Sequence, residues 1–313
     1  MKAIVVPRAP APELQLAEHP RPAIRPSQCL VRVRAASVNP VDWKLLGGPK
    51  RRLLRPLLPR VPGFDVCGVV EASGGGVTRF RPGDWVYAQL DTRLGGAYAE
   101  YAAAGEDALA RKPQALSPEE AAAVPLAALT ALQALSLGGA PQAGERVLVV
   151  GASGGVGHFA VQIARAMGAE VDGVCGTDHV GMVRGLGAAR VIDYRKEDPL
   201  AAGQRYRVVL DAVGRGPAAG YARLLDPGGT YVTTLPSAGS LVEAVRLVLT
   251  SRERVRHVLA KPRGSDLERI TGWIEAGELR PVIERRYALA QAAEAWRRSR
   301  EGHVGGKLVI LVD

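Results

Sequence analysis

Residues 147–157 hold the densest chemical signal in the chain. The apolar run Val147-Leu-Val-Val150 passes directly into Gly151, Gly154, Gly155 and Gly157. Glycines at this spacing, between a buried strand and a helix, let the backbone approach a pyrophosphate, whose charge settles on the open amides and positive dipole end of the helix. The usual dinucleotide spacing is G-x-G-x-x-G. Here Ala152 stands in place of its first glycine and Gly151 precedes it by one. The competing reading is a tight strand-to-helix turn with no ligand, and a second βαβ pattern beyond the turn favours the dinucleotide.

Cofactor choice is read at the end of the second strand, where an acid would bind the ribose 2′-OH and repel a 2′-phosphate. That place reads Cys175-Gly176-Thr177, without an acid. NADPH is therefore expected, with Thr177 donating a hydrogen bond and Tyr194 reaching the same spot. Asp178 comes next: it either caps the following helix or weakens the phosphate's hold and shifts preference toward NADH.

The elements that must position these residues follow from pattern. The first hundred residues carry short alternating runs such as Val31-Arg-Val-Arg34, separated by turns such as Arg81-Pro-Gly-Asp84, and predict a small antiparallel β domain. Ser117 followed by Pro118, Glu119 and Glu120 predicts a helix start, with helical character to about 138. Strands over 146–152, 171–175, 190–194, 208–213 and 230–235 then alternate with helices over 155–167 and 179–186, the pattern of parallel βαβ units. Helices over 241–249, 267–276 and 289–300 and strands over 255–260 and 307–312 complete the reading.

With 313 residues, 47% of them hydrophobic, the chain is long enough for two domains. No apolar run is long enough to span a membrane and no secretory signal is visible, so a cytoplasmic protein is expected. Cys29, Cys67 and Cys175 stand singly in apolar runs and read as buried thiols. The net charge of +10 attracts anions of any kind. No basic strand interleaved with aromatics and no recognition-helix pattern accompanies it, which disfavours a nucleic-acid-binding protein with a leftover nucleotide pocket. His19, His158, His179 and His257 lack ligand spacing and read as structural or surface residues. Trp43, Trp85, Trp273 and Trp296 read as core or interface.

Seven further blocks stand in a fixed order: Ala36-Ser-Val-Asn39-Pro-Val-Asp42-Trp-Lys44, Pro62-Gly-Phe-Asp65-Val-Cys-Gly-Val-Val-Glu71, Arg81-Pro-Gly-Asp-Trp-Val-Tyr87, Gly95-Gly-Ala-Tyr-Ala-Glu-Tyr101, Ala123-Val-Pro125-Leu-Ala-Ala-Leu-Thr130, Leu186-Gly-Ala-Ala-Arg-Val-Ile-Asp-Tyr194 and Gly302-His-Val-Gly-Gly-Lys307. With the glycine turn they resemble the zinc-independent quinone oxidoreductase branch of the medium-chain dehydrogenase/reductase superfamily over nearly the whole chain. The resemblance implies an α/β fold: a GroES-like, partly open β-barrel domain over 1–118 and 285–313, and an inserted Rossmann domain, a doubly wound parallel sheet, over 119–284. It also implies a homodimer and a quinone or α,β-unsaturated carbonyl substrate. The zinc ligands of the metal-dependent cousins match Asn39, Phe64 and Leu126 here, and three cysteines cannot fill both of their zinc sites, so no metal is expected.

Carried over residue by residue, Ser153, Gly154, Gly155 and Val156 match the phosphate-binding turn, and Thr177 and Tyr194 the adenosine-phosphate pocket. Thr130 matches a residue near the nicotinamide, and His303, Val304 and Gly305 the segment that closes over the cofactor. Hydride delivery to an enone or quinone builds negative charge on the substrate oxygen, which an oriented donor stabilises. Asn39 and Lys44 are the candidate donors, with Asp42 orienting Lys44 or exchanging protons with water. The competing reading makes Asn39 a turn former before Pro40 and Asp42 with Lys44 a solvated pair. An alternative function is a zinc-free reductase of aldehydes or ketones preferring NADH. The basic residues Lys50, Arg51, Arg52, Arg55 and Arg60 read as a solvated loop or a rim that guides anions.

Overall fold

The structure is a computed structural model that describes residues 1–8, 13–46, 58, 60–92, 95–201, 203–214, 218–234 and 254–312. The chain forms two units, one of Met1–Leu129, Lys261–Gly277 and Pro281–Asp313, the other of Thr130–Ala260 and Glu278–Arg280. The first unit opens with β1 (Lys2–Val5), β2 (Gln15–Glu18), β3 (Gln28–Val38), β4 (Asp65–Ser73), β5 (Trp85–Gln89), β6 (Tyr101–Gly105) and β7 (Leu109–Arg111). The second holds β8 (Arg146–Val150), β9 (Glu170–Cys175), β10 (Arg190–Asp193), β11 (Tyr206–Asp211), β12 (Leu225–Thr233) and β13 (Arg254–His257). The chain then returns to the first unit with β14 (Ile283–Ala288) and β15 (Lys307–Leu311).

In the first unit the sheet order is β14-β15-β3-β4-β5-β7, and β6 also pairs with β3. The alternation seen in the sequence is a facing pattern: Val31 and Val33 are buried while Arg32 and Arg34 are exposed. The β3–β4 register shifts between Val33 and Ala35. At the same place a Cβ on Gly68 would lie 2.1 Å from the Arg32 carbonyl oxygen, so only glycine fits the close approach. Ile4, Val31, Val66, Val86, Tyr98, Trp296 and Ile310 form the core.

The second unit is an all-parallel sheet of order β10-β9-β8-β11-β12-β13. With its first strand in the middle, this is the doubly wound order of dinucleotide-binding folds. Its central strand is apolar from Val147 to Val150 because helices cover both faces of such sheets.

Several expectations are corrected. The helix Gly264–Glu275 belongs to the barrel unit rather than to an insertion running to 284: the Tyr87 hydroxyl donates to the Leu267 carbonyl at 2.9 Å, and Gly264 packs against the Leu109 carbonyl. β14 was not anticipated, because only Tyr287 in it is buried. The helical stretch expected from Ser117 to about 138 is present in two pieces, a helix Pro118–Ala122 that opens with a capping box and a second helix, Pro125–Leu137. Of the tryptophans expected in core or interface, Trp296 is buried in the core and Trp85 is exposed, which leaves it the interface reading. The expected helix over 241–249 and the residues Lys50, Arg51, Arg52 and Arg55 lie outside the described residues. The three cysteines are buried free thiols, and burial pushes the Cys67 thiol up to about 12. Among the described residues no helix is long and apolar enough to cross a membrane.

Candidate active site

The glycine turn is built for close approach. Gly151 takes a φ of +77°, open to glycine at low cost. The amides of Gly151 and Ala152 donate to the Val174 carbonyl at 3.0 and 2.9 Å, fastening the turn to β9. A Cβ on Gly157 would lie 2.0 Å from the Gly151 carbonyl oxygen, so the helix Gly157–Ala166 can start this close to β8 only with glycine there. Its N-cap is Val156, which offers no side-chain cap; the His158 amide donates to the Gly154 carbonyl at 3.0 Å, and the amides of Gly155, Val156 and Gly157 are left for another acceptor. Ser153, Gly154, Gly155 and Val156 are all half-buried at this end. His158 is buried with Nδ1 2.9 Å from the Gly154 carbonyl, a structural role as expected. These residues fit a dinucleotide pyrophosphate. Thr130, in the helix Pro125–Leu137, is buried.

Beyond β9, residues from the third strand join Thr177 and Tyr194. Cys175 is in register with Asp193 at the end of β10. The Thr177 hydroxyl donates to Asp193 Oδ2 at 2.7 Å, and the Arg195 amide donates to Oδ1 at 3.1 Å. These donors, the Thr177 hydroxyl foremost, hold the Asp193 carboxyl below its ordinary value. Tyr194 sits over Gly176, where a Cβ would meet its phenol oxygen at 3.2 Å. Asp178 does not cap a helix: the N-cap of Val180–Gly185 is His179, without a side-chain bond. Instead Asp178 pairs with the Arg195 guanidinium at 3.1 Å. Asp193 and Arg195 escaped notice because they arrive from the third strand, while the ribose rule inspects the second.

In the barrel unit Asn39 joins the end of β3 to the helix Pro40–Leu46, which holds the rest of the block to Lys44. Asp42 is fully buried. Its Oδ2 accepts from the Asn39 amide at 2.7 Å and from the Tyr98 hydroxyl at 2.8 Å, while Oδ1 has no hydrogen-bond partner among the described residues. It therefore neither orients Lys44 nor forms a solvated pair with it. Lys44 is exposed, its ammonium 5.4 Å from the Trp43 ring centroid. The Asn39 side chain is held at both ends: Nδ2 donates to Asp65 Oδ2 at 2.8 Å, and Oδ1 accepts from the Lys307 ammonium. Asp65 also accepts from the Ser37 hydroxyl at 2.7 Å and the Leu126 amide at 2.8 Å, and lies 3.7 Å from Lys307 Nζ.

Burial governs the charges here. It pushes the Asp42 carboxyl up to about 7, against the pull of the Asn39 amide and Tyr98 hydroxyl. It raises Asp65 and lowers Lys307, and each of the two partly restores the other's charged form. Asp65, Tyr98, Ser37 and Lys307 were missed as site residues. Their signal was a charge at the end of an apolar strand, Asp65 ahead of Val66-Cys67 and Lys307 ahead of Leu308-Val309-Ile310.

The C-terminal segment is anchored by Glu284, which accepts from the Gly305 amide at 2.7 Å and from Arg298 at 2.7 and 3.1 Å. Val304 packs on the barrel core, and His303 is exposed with a φ of +52°, a left-handed conformation rare outside glycine.

A mixed-sheet barrel unit together with a doubly wound parallel unit carrying a glycine phosphate turn defines the zinc-type dehydrogenase/reductase architecture. Residues 25–114 match the family model "Alcohol dehydrogenase GroES-like domain" and residues 186–310 the model "Zinc-binding dehydrogenase". The chain is 34% identical over 312 residues to a chloroplast envelope quinone oxidoreductase homolog of Arabidopsis thaliana, covering 95% of this chain and 93% of that one. It is 33% identical to a 2-methylene-furan-3-one reductase of Solanum lycopersicum, covering 92% of this chain and 73% of that one. The quinone oxidoreductase of Thermus thermophilus, solved also in complex with NADPH, superposes with a TM-score of 0.81 at 31% identity, covering all of both chains. The chain belongs to the quinone oxidoreductase branch of the medium-chain dehydrogenase/reductase superfamily. It is an NAD(P)H-dependent oxidoreductase.

Proposed function

We propose that the protein reduces quinones or α,β-unsaturated carbonyl compounds with NADPH and without zinc. The observation that carries this reading is the fixed amide of Asn39. It stands at the place of a zinc ligand in the metal-dependent cousins and is clamped between Asp65 and Lys307. The matching places Phe64 and Leu126 do not fit a metal: one side chain is a hydrocarbon ring and the other an aliphatic whose backbone amide serves Asp65.

NADPH held through its pyrophosphate at the glycine turn would supply a hydride from its nicotinamide. The residues of the chain supply the rest. Open amides at the start of the helix Gly157–Ala166 take the pyrophosphate charge. Lys307 fixes Asn39 Oδ1, which forces Nδ2 toward Asp65 and sets the direction of the second Nδ2 proton. That proton has no acceptor among the described residues, and it donates to the substrate oxygen as negative charge develops there. The Lys44 ammonium is the second donor.

Two carboxylates at the adenosine end, Asp178 and Asp193, favour a second reading, an NADH-preferring reductase of aldehydes or ketones. The deciding experiment follows nicotinamide absorbance with NADPH and NADH against quinones, enones, aldehydes and ketones. Fast NADPH oxidation confined to quinones and enones supports the proposal; turnover of simple aldehydes or ketones with NADH supports the second reading and overturns the first.

A further inference from the structure

We propose that Arg195 is the residue that recognises the cofactor's adenosine 2′-phosphate, and that Asp178 competes with that phosphate for it. The inference rests on the NADPH reading above.

In a doubly wound sheet the adenosine ribose lies beyond the carboxyl end of the second strand, here β9 at Cys175. β10 carries Asp193 to the same level, and the chain leaving β10 delivers Tyr194, Arg195 and Lys196 there. A hydroxyl has one proton to donate, and that of Thr177 goes to Asp193. Thr177 therefore cannot be the phosphate donor that the sequence suggested. Asp193 is likewise committed, accepting from Thr177 and from the Arg195 backbone.

Arg195 differs from both. Its backbone is pinned by Asp193, while its side chain is about half exposed and reaches across to Asp178 at 3.1 Å. A guanidinium is a planar fork with five N–H donors, of which the contacts to Asp178 and to the Tyr194 side chain take some and leave others for a ligand. The fork suits a phosphate better than a single carboxylate oxygen, because paired charge-assisted bonds become available. Without Arg195 the pocket would present Asp178 and Asp193 to a phosphate of the same sign. Arg195 thus decides whether this pocket admits NADPH, and Asp178 sets how much of its charge is already taken. Lys196, 3.7 Å from Asp193 and largely exposed, adds a cation without a fixed direction.

The test is calorimetric titration of the full-length protein with NADPH, NADH, adenosine 2′,5′-bisphosphate and 5′-AMP, for wild type, Arg195→Gln, Asp178→Asn and the double variant. Arg195→Gln is expected to weaken NADPH and the bisphosphate by about ten- to a hundredfold, the scale of charge-assisted bonds, while NADH and 5′-AMP stay within about twofold. Unchanged NADH binding also reports that the variant is folded. Asp178→Asn is expected to tighten NADPH severalfold, and to lose that effect in the double variant. If wild type prefers NADPH and Arg195→Gln keeps the preference, the assignment of Arg195 is overturned while the cofactor reading stands. If wild type shows no preference for NADPH, the cofactor reading fails and the inference with it.

Discussion

Replacing Asp42 with Asn should change how the protein's stability depends on pH. Burial raises this carboxyl from 3.8 to about 7, and the charges of Asp65 and Lys307 push in opposite directions. Between those two values the folded protein keeps a proton that the unfolded chain releases. Stability therefore falls as pH rises from about 4 to about 7, and this group contributes no further slope on either side. At ~1.36 kcal/mol per pK unit, the cost of keeping Asp42 in place reaches about 4 kcal/mol above neutrality. An asparagine keeps an oxygen for the Asn39 amide and the Tyr98 hydroxyl. It places its NH2 where Oδ1 has no partner, at a pH-independent cost of about 1–3 kcal/mol. The variant should be less stable than wild type near pH 4.5 and more stable near pH 8.5, with a swing of about 3–4 kcal/mol between the two. Urea unfolding followed by circular dichroism at both pH values measures it. Parallel stability curves would refute the reasoning, since they would mean that Asp42 stays ionised inside the fold.

Four further variants probe the site. Gly154→Asp should leave the fold intact, because a Cβ there lies an ordinary 3.4 Å from the Gly151 carbonyl, yet abolish NADPH binding by calorimetry; Gly157→Ala should lower the melting temperature as well, because its Cβ has only 2.0 Å. Lys307→Met should destabilise the protein by about 3–5 kcal/mol in urea titrations by leaving Asp65 buried without its cation, and adding Asp65→Asn should recover part of the loss. Asn39→Ala should lower kcat with a quinone or enone by about a hundredfold in steady-state assays while the NADPH dissociation constant is unchanged, the pattern for a donor used in the transition state.

What the sequence made legible was local. Strand and glycine turn and the start of the helix lie within a dozen residues, and the helix at Ser117 is announced by Pro118 and the acids Glu119 and Glu120 behind it. The barrel's polar cluster is not local: Asn39 meets Asp65 26 positions away and Lys307 268 away, and Tyr98 reaches Asp42 over 56. Such pairs come from strand pairing, β15 on β3 and β3 on β4, and no periodicity encodes that register. The same limit explains Arg195, which turns the expected repulsion by Asp178 into an ion pair across 17 positions. Where charges such as Glu284, Arg285 and Arg286 interrupt the apolar alternation, even the strand β14 was hidden, because its faces are mostly exposed.

The central claim, hydride transfer from NADPH to an activated carbon without a metal, is tested most directly by isotope. Chelator-treated protein, checked for zinc by metal analysis, is given NADPH deuterated at the transferable nicotinamide position together with an α,β-unsaturated ketone, and the product is examined by mass spectrometry and NMR. The account predicts one deuterium at the β-carbon of the saturated ketone, formed at the rate of the untreated protein. Product without deuterium, or product that forms only when zinc is restored, would contradict it.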